Sequence, residues 1–547
     1  MTIMNKIWNL YLLLGGGQKQ WTLLQHNGPM FPEEYKPHKT PIIVNGKEIV
    51  LPPLAEEYAT MYSRFLDTEY IQSNVFKKNF WKDFKPTLKE LNQELTLDDI
   101  DFSLIKQYYD KMREIKANMS EDEKKRIKIK QTELDEPYQN CIIDGTQQKI
   151  GNYKVEPPGI FMGRGNHPKL GMIKKRVYPI DVTLNLSKDA PVPEPNVSNP
   201  DGSMKWGSII HDMNVIWLAS WKDNISGKVK YVFTSLESFF KSKSDEDKFE
   251  LARNLKKKVN TIRNDYERQL VEGDVKSKQL ATALYFIDHL ALRVGSSKDT
   301  KEEADTVGVT SLRVEHLTFL ENNMIKLDFL GKDSVRFCKK IQVIEAVYKN
   351  LEEFSKEKKN KDELFDHINA SMLNEYLNSF MNGLTAKVWR TYNASLLFQK
   401  EIDKIKEDNI KDIDANERLN YLIAMFNQAN TSVALLCNHQ KSVNHGIDNM
   451  INKIDNRIKE LKNIKLKQTN KDKIKKLDIK IKSLKLKKDT KLKMKNVSLG
   501  TSKNNYIDPR IIFSFIKRFE IPPQKLFTEK LIKRIEWANK VDKDYKF

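Results

Sequence analysis

Between residues 280 and 295, Leu280, Leu284, Ile287, Ala291 and Val294 recur at alternating steps of four and three and then meet Gly295. That spacing predicts a helix with one buried face and a glycine stop. A different period follows. Ile325-Lys326-Leu327-Asp328-Phe329 and Ser334-Val335-Arg336-Phe337 alternate apolar with polar residues around Leu330-Gly331-Lys332-Asp333, predicting a half-buried antiparallel hairpin with Lys332 at its tip. Further on, Ile447, Ile451, Ile454, Ile458 and Leu461 step by 4, 3, 4 and 3. After Gln468-Thr469-Asn470, the residues Ile474, Leu477, Ile481 and Leu484 step by 3, 4 and 3. Such seams predict two helices zipped antiparallel around a turn. The first 240 residues mix strands with short helices and hold a proline-rich stretch, Asp189-Ala190-Pro191-Val192-Pro193-Glu194-Pro195. A domain edge is expected there or shortly after Lys230. Residues 240 to 440 read as mostly helical, and a tail of some fifty residues carries Tyr506 and Trp537.

Composition narrows the class. At 547 residues the chain is too long for one core, and 39% hydrophobic content excludes wholesale disorder. Three cysteines exclude a disulfide scaffold and fit a reducing compartment. No apolar run approaches the ~20 residues that cross a bilayer. The nearest, Ile7 to Leu14 before Gly15-Gly16-Gly17, reads as a leader outside the fold. A mitochondrial leader is the alternative, although Lys6 is the one basic residue among the first sixteen. The net charge of +20 points to an extended acidic partner. From 446 to 497 there are 17 lysines and one arginine against six acids, so more than half of that charge sits in about a tenth of the chain.

Several chemistries are absent. There is no Gly-x-x-x-x-Gly-Lys-Ser/Thr loop, and Pro168 spoils the dinucleotide pattern begun by Gly163-Arg164-Gly165. His439 and His445, six apart, do not share a helical metal-binding face. What remains is a set of polar residues in unusual contexts. Arg293 closes the apolar Leu290-Ala291-Leu292-Arg293-Val294-Gly295, and Lys332 tips the hairpin. Arg390 lies in Lys387-Val388-Trp389-Arg390-Thr391-Tyr392, His439 follows an apolar helix, and Tyr506 stands in Lys503-Asn504-Asn505-Tyr506-Ile507-Asp508. Each alone has a plainer account: an internal ion pair, a turn cation, a satisfied core histidine, one tyrosine of nineteen. Two arginines, a lysine, a histidine and a tyrosine make sense together through a phosphodiester.

In these blocks the chain resembles the eukaryotic type IB DNA topoisomerases, from about Trp21 to Phe547. The most specific segments are Pro157-Pro158-Gly159-Ile160-Phe161 with Gly163-Arg164-Gly165-Asn166-His167-Pro168, then Ala283-Leu284-Tyr285-Phe286-Ile287-Asp288 and Asp328-Phe329-Leu330-Gly331-Lys332-Asp333-Ser334. Gly383-Leu384-Thr385-Ala386-Lys387-Val388, Leu436-Cys437-Asn438-His439-Gln440 and the context of Tyr506 complete the set. The resemblance implies an α+β multidomain chain. After the leader 1–16 would come a mixed α/β DNA-clamping cap at 17–238, a mainly helical catalytic domain related to tyrosine recombinases at 239–441, an antiparallel coiled-coil linker at 442–497 and a small helical C-terminal domain at 498–547.

It implies a mechanism as well. Tyr506 would attack phosphorus and leave a 3′-phosphotyrosyl link, one ester replacing another, so that supercoils relax without ATP, metal or other cofactor. Arg293 and Arg390 would offer rigid forks to the non-bridging oxygens, His439 one further hydrogen bond, and Lys332 a proton to the leaving 5′-oxygen. A lysine with a reference pKa of ~10.4 must be lowered to serve, and two nearby arginines would do that by like-charge repulsion. The partner would be double-stranded DNA, preferably supercoiled, clamped by a monomer and not by a membrane-bound form. Arg164, His167, Lys169, Lys174, Lys175, Arg176 and Lys230 would hold its phosphates largely without regard to sequence, although the later lysines read equally well as a solvated surface run. Arg164, Asp333 and Asn505 match positions where camptothecin-like inhibitors bind. The linker would brake DNA rotation.

Two features depart from the family. The long charged N-terminal tail with import signals is replaced by the apolar leader, so nuclear residence follows from the resemblance alone. Met162 stands where a basic residue is expected. Two rival readings stand beside this one. A tyrosine site-specific recombinase would place its second arginine just after a histidine, whereas His439 here follows Arg390 by 49 positions. A non-enzymatic DNA or chromatin scaffold would bind without forming an adduct.

Overall fold

The computed structural model describes residues 19–88, 94–300, 302–406, 415–440, 446–493 and 497–547. The leader 1–16, His445 and the side chain of Ile447 lie outside the described residues. The chain divides into two compact units, Met1–Lys241 with Lys298–Asp305, and Ser242–Ser297 with Thr306–Phe547.

The first unit is mixed α and β with two apolar cores. One gathers strands Ile42–Val44, Lys47–Ile49 and Ile100–Asp101 with helices Pro53–Ser63, Asn74–Phe84 and Ser103–Ala117. Phe76, Phe80 and Phe84, spaced by one turn, are fully buried and turn one stripe of their helix inward. The other core lies against two sheets. Leu24–His26, Asn140–Ile143 and Thr146–Lys149 form an antiparallel trio. A four-stranded sheet runs in the order Ser208–Ile210, Thr183–Asn185, Ala219–Lys222, Val229–Val232. The proline-rich stretch is no boundary. It lies in the crossover between Thr183–Asn185 and Ser208–Ile210, which pair in parallel, inside the first compact unit, whose main stretch ends at Lys241.

The second unit is mainly helical around one core that runs from Ala252 to Phe547. Helices Val259–Glu272 and Val275–Leu290 pack against each other, the second started by Asp274, whose carboxylate accepts from the Ser277 N–H at 2.8 Å. The predicted glycine stop is wrong by several residues. The helix ends at Leu290, and Ala291 turns left-handed at φ 50°. Gly295 instead allows a close passage of chain, since a Cβ on Gly308 would lie 2.4 Å from its Cα. The predicted hairpin is present as Met324–Leu330 paired with Arg336–Gln342, and Leu317–Leu320 adds a third strand that alternation did not reveal.

Helices Gly446–Leu466 and Lys471–Lys493 flank the predicted break. They run antiparallel, because Lys465 meets Asp478 at 2.5 Å while Lys488 meets Asp455 at 2.7 Å. Ile458, Leu461 and Ile481 are buried between them. The tail belongs to the main core of the unit. Ile511, Ile512 and Phe515 of helix Pro509–Arg518 are buried in it, and Arg510 ties that helix to Glu250 at 2.8 Å.

Candidate active site

A buried carboxylate sets the frame. Asp288, in the last turn of helix Val275–Leu290, accepts two bonds from Arg263 at 2.8 Å, one from the Tyr266 hydroxyl at 2.9 Å and one from Trp389 Nε1 at 3.1 Å. Burial alone would raise its pKa, but the Arg263 ion pair and these donors hold it below the usual carboxylate value. Asn393 donates to the Asp288 backbone carbonyl at 2.6 Å. Helix Ala386–Asp403 is thereby fixed beside the end of helix Val275–Leu290, with Arg390 one residue beyond the Trp389 anchor.

Arg390 is 3% exposed. Its Nε donates to the Ala291 carbonyl at 2.6 Å and its Nη2 to the Cys437 carbonyl at 3.3 Å. Those are the first carbonyls beyond helices Val275–Leu290 and Ala415–Leu436, so the guanidinium sits at the negative poles of two helices. This explains both its burial and the left-handed turn at Ala291, whose carbonyl has left the helix to meet it. Its Nη1 donates to the Tyr506 hydroxyl at 2.9 Å, with Cζ 4.9 Å above the tyrosine ring. Arg293, just past the same turn, donates to that hydroxyl at 3.4 Å. Among the described residues no carboxylate pairs with either arginine.

His439 is positioned by a helix end. Asn438 adopts φ 53°, and the His439 N–H reaches back to the Ala434 carbonyl at 2.9 Å, the six-to-one bond of a Schellman cap. The imidazole is 5% exposed and 5.0 Å from the Tyr506 ring. Its Nδ1 lies 2.8 Å from Ser502 Oγ, whereas the buried Nε2 has no partner among the described residues. Burial first, and the Arg390 and Arg293 charges second, push its pKa down to about 3, so the ring is neutral at pH 7.

Tyr506 follows the short helix Leu499–Asn505 and is 7% exposed. Ser395, on the helix that carries Arg390, donates to the Tyr506 carbonyl at 3.1 Å and accepts from the Asp508 N–H at 3.0 Å. Nucleophile and guanidinium are thus held by one helix. Lys332 stands exposed at the hairpin tip, where Asp333 and Ser334 take left-handed φ of 66° and 58°. A cavity of about 120 Å³ is lined by Arg293, Lys332, Asp333, Arg390 and His439, among others. Four of the five expected catalytic side chains therefore face one space, and the fifth is hydrogen-bonded to two of them. Asn505, beside Tyr506, donates to the Thr501 carbonyl at 3.2 Å.

The remaining candidates lie in the other unit. Gly163 and Gly165 take positive φ around Arg164. His167 accepts the Lys169 N–H at 3.1 Å and meets Phe161 edge-on. Lys169 donates to the Ile225 carbonyl at 2.6 Å and pairs with Glu302. Lys174 and Lys230 converge on Glu156, and burial followed by the Lys230 charge lowers Lys174 to about 8. Arg176 is held by Glu57 and the Glu33 carbonyl, each at 2.8 Å. The Lys175 N–H bonds to Asn224 at 3.1 Å. Four of these seven residues are therefore engaged in ion pairs within their own unit. Sequence reasoning passed over Asp288, Arg263, Ser395 and Ser502. Asp288 fell inside a quoted block with no role attached to it, and the two serines gave no signal, because their partners lie 63 to 113 positions away.

Residues 19–234 match the eukaryotic DNA topoisomerase I DNA-binding fragment, 237–488 its catalytic core and 478–547 the C-terminal topoisomerase domain. The chain is 41% identical to DNA topoisomerase 1 alpha of Arabidopsis thaliana over 97% of its own length and 60% of that protein. It is 38% identical to DNA topoisomerase 1 of Homo sapiens over 96% of itself and 72% of that protein. With DNA topoisomerase 1 of Candidozyma auris the identity is 37%, over 97% and 84%. The chain spans about 60% of the length of the Arabidopsis relatives that it matches. The paired guanidiniums, the neutral histidine and the tyrosine of the tail thus occur in a chain that belongs to the eukaryotic DNA topoisomerase I family.

Proposed function

We propose that the chain is a type IB DNA topoisomerase that relaxes positive and negative supercoils by transient single-strand cleavage, swivelling and religation. The carrying observation is the convergence on the Tyr506 hydroxyl, at 2.9 and 3.4 Å, of two guanidiniums that have no carboxylate partner among the described residues. A cation lacking a carboxylate partner in a closed site calls for an anion, and the phenol oxygen lies where one would be held. Tyr506 attacks phosphorus, its proton passes to water, and the bond to the 5′-oxygen breaks as Lys332 protonates that oxygen. The 3′-phosphotyrosyl ester preserves the bond energy for resealing. Arg293, Arg390 and the His439 Nε2–H hold the non-bridging oxygens as charge grows on them.

Double-stranded DNA is the substrate. Arg164, His167, Lys169, Lys174, Lys175, Arg176 and Lys230 are the proposed phosphate contacts of the cap at 17–238, with the ion-paired ones exchanging carboxylate for phosphate. The catalytic domain is 239–441, related to tyrosine recombinases, and the C-terminal domain is 498–547. The antiparallel pair within 442–497 acts as a coiled-coil linker that slows rotation. Asp333 and Asn505 are the proposed contacts of a camptothecin-type inhibitor within the second unit. The protein works as a monomer in the nucleus.

The test is relaxation of a supercoiled plasmid in chelator without ATP, with Tyr506→Phe beside the wild type. Relaxed topoisomers and a covalent adduct are expected from the wild type and neither from the variant. A wild type that relaxes nothing, or a variant that works equally well, overturns the reading. A recombinase would leave a plasmid without its special sites untouched, and a scaffold would bind with no adduct.

A further inference from the structure

We propose that Ser502 is a positioning residue that holds His439 in the tautomer with hydrogen on Nε2, by donating its own hydroxyl hydrogen to Nδ1. The inference rests on the topoisomerase reading of the site. Ser502 is fully buried, and its Oγ lies 2.8 Å from His439 Nδ1. A neutral imidazole has one donor nitrogen and one acceptor nitrogen, and the partner of one nitrogen decides the state of the other. Nε2 is buried without a partner among the described residues, in a ring that lines the cavity with Arg293, Lys332 and Arg390. A bare lone pair there would repel a phosphate oxygen, while an N–H would bond to it.

A serine hydroxyl can donate or accept, so its direction needs a reason. Among the described residues Ser502 Oγ has no other hydrogen-bond partner that could take its hydrogen, and Nδ1 is the acceptor at hand. A buried hydroxyl hydrogen left unpaired is costly, so the hydrogen points to Nδ1 and Nε2 becomes the donor. Protonation of the ring would make the choice irrelevant, but burial and the two neighbouring guanidiniums keep it neutral. Tautomer, not charge, is then what the site must control. The same helix, Leu499–Asn505, ends at the nucleophile, and the Tyr506 N–H bonds to the Ser502 carbonyl at 2.9 Å. One residue thereby sets both the histidine donor and the start of the tyrosine.

The test uses the full chain with histidines labelled with nitrogen-15, the signal of His439 among nine being identified by its loss in His439→Gln. In the wild type, Nδ1 should be of the bare type and Nε2 of the protonated type. In Ser502→Ala the two forms should mix. Single-turnover adduct formation should slow by about 3- to 10-fold in Ser502→Ala, the worth of one net hydrogen bond, and recover to within about 2-fold in Ser502→Thr. In a His439→Gln background the alanine change should add nothing, since an amide donor has no tautomers. Hydrogen on Nδ1 in the wild type overturns the proposal. So does an equal slowing in the His439→Gln background, which would mark Ser502 as packing alone. If the wild type forms no adduct at all, the topoisomerase reading falls, while the nitrogen spectra still decide the tautomer.

Discussion

Replacing Arg390 by lysine keeps the charge and removes the fork. In place, the guanidinium spans three acceptors: the Ala291 carbonyl at 2.6 Å, the Cys437 carbonyl at 3.3 Å and the Tyr506 hydroxyl at 2.9 Å. An ammonium is a point donor on a flexible stem and cannot reach all three at once. If it keeps one of the carbonyls, a second buried acceptor is stranded, costing about 2 kcal/mol. For a unit of this size that corresponds to a fall in Tm of roughly 3 °C. The catalytic cost is separate and larger. Removing one preorganised donor from the growing charge slows cleavage by about 10²–10³. Single-turnover adduct formation on a duplex oligonucleotide, quantified on a denaturing gel at 25 °C, reads the second effect well below the melting range. Arg390→Lys cleaving within about threefold of wild type, with Tm unchanged, would refute the claim that the fork holds the site together.

Two further substitutions probe the proton donor and the frame. Lys332→Arg keeps a cation at the hairpin tip but gives up its proton poorly. Cleavage should slow by about 10²–10⁴, with near-normal rates restored on a substrate whose 5′-leaving atom is sulfur, which needs no proton; equal slowing on both substrates would remove Lys332 from the acid role. Asp288→Asn leaves Arg263 without its counter-charge and should cost about 3–5 kcal/mol in urea unfolding at pH 7. Because the folded-state pKa of Asp288 is depressed, its stabilisation is present above the ordinary carboxylate value near 4 and fades as pH falls through the folded value. The gap between variant and wild type should therefore narrow at pH 3, and a constant gap would contradict the linkage.

The parts of the site carried by local patterns were legible in the sequence. Lys332 was placed at a hairpin tip because two alternating runs flank it, and His439 at a helix end because an apolar helix precedes it. The end of helix Val275–Leu290 was misread for a physical reason. The apolar stripe continues through Ala291 and Val294, but the Ala291 carbonyl is claimed by Arg390 from a helix about a hundred residues on. Periodicity reports which face is buried and is silent about such a claim. Leu317–Leu320 has four residues, and Leu320 directly after Phe319 breaks the alternation before it is long enough to register. Ser395 and Ser502 act through single hydroxyls whose partners exist only after folding.

The two helix ends that cradle Arg390 also bear on how ionic strength acts. Peptide dipoles, not mobile counter-ions or exposed carboxylates, balance that charge, and dissolved salt has little access to a group so enclosed. Grip on a polyanion, by contrast, depends on surface lysines and fades with added salt. On the proposed reading, holding the strand and cutting it would be governed by separate electrostatic environments, and a rise in electrolyte would loosen the first while leaving the second nearly as it was.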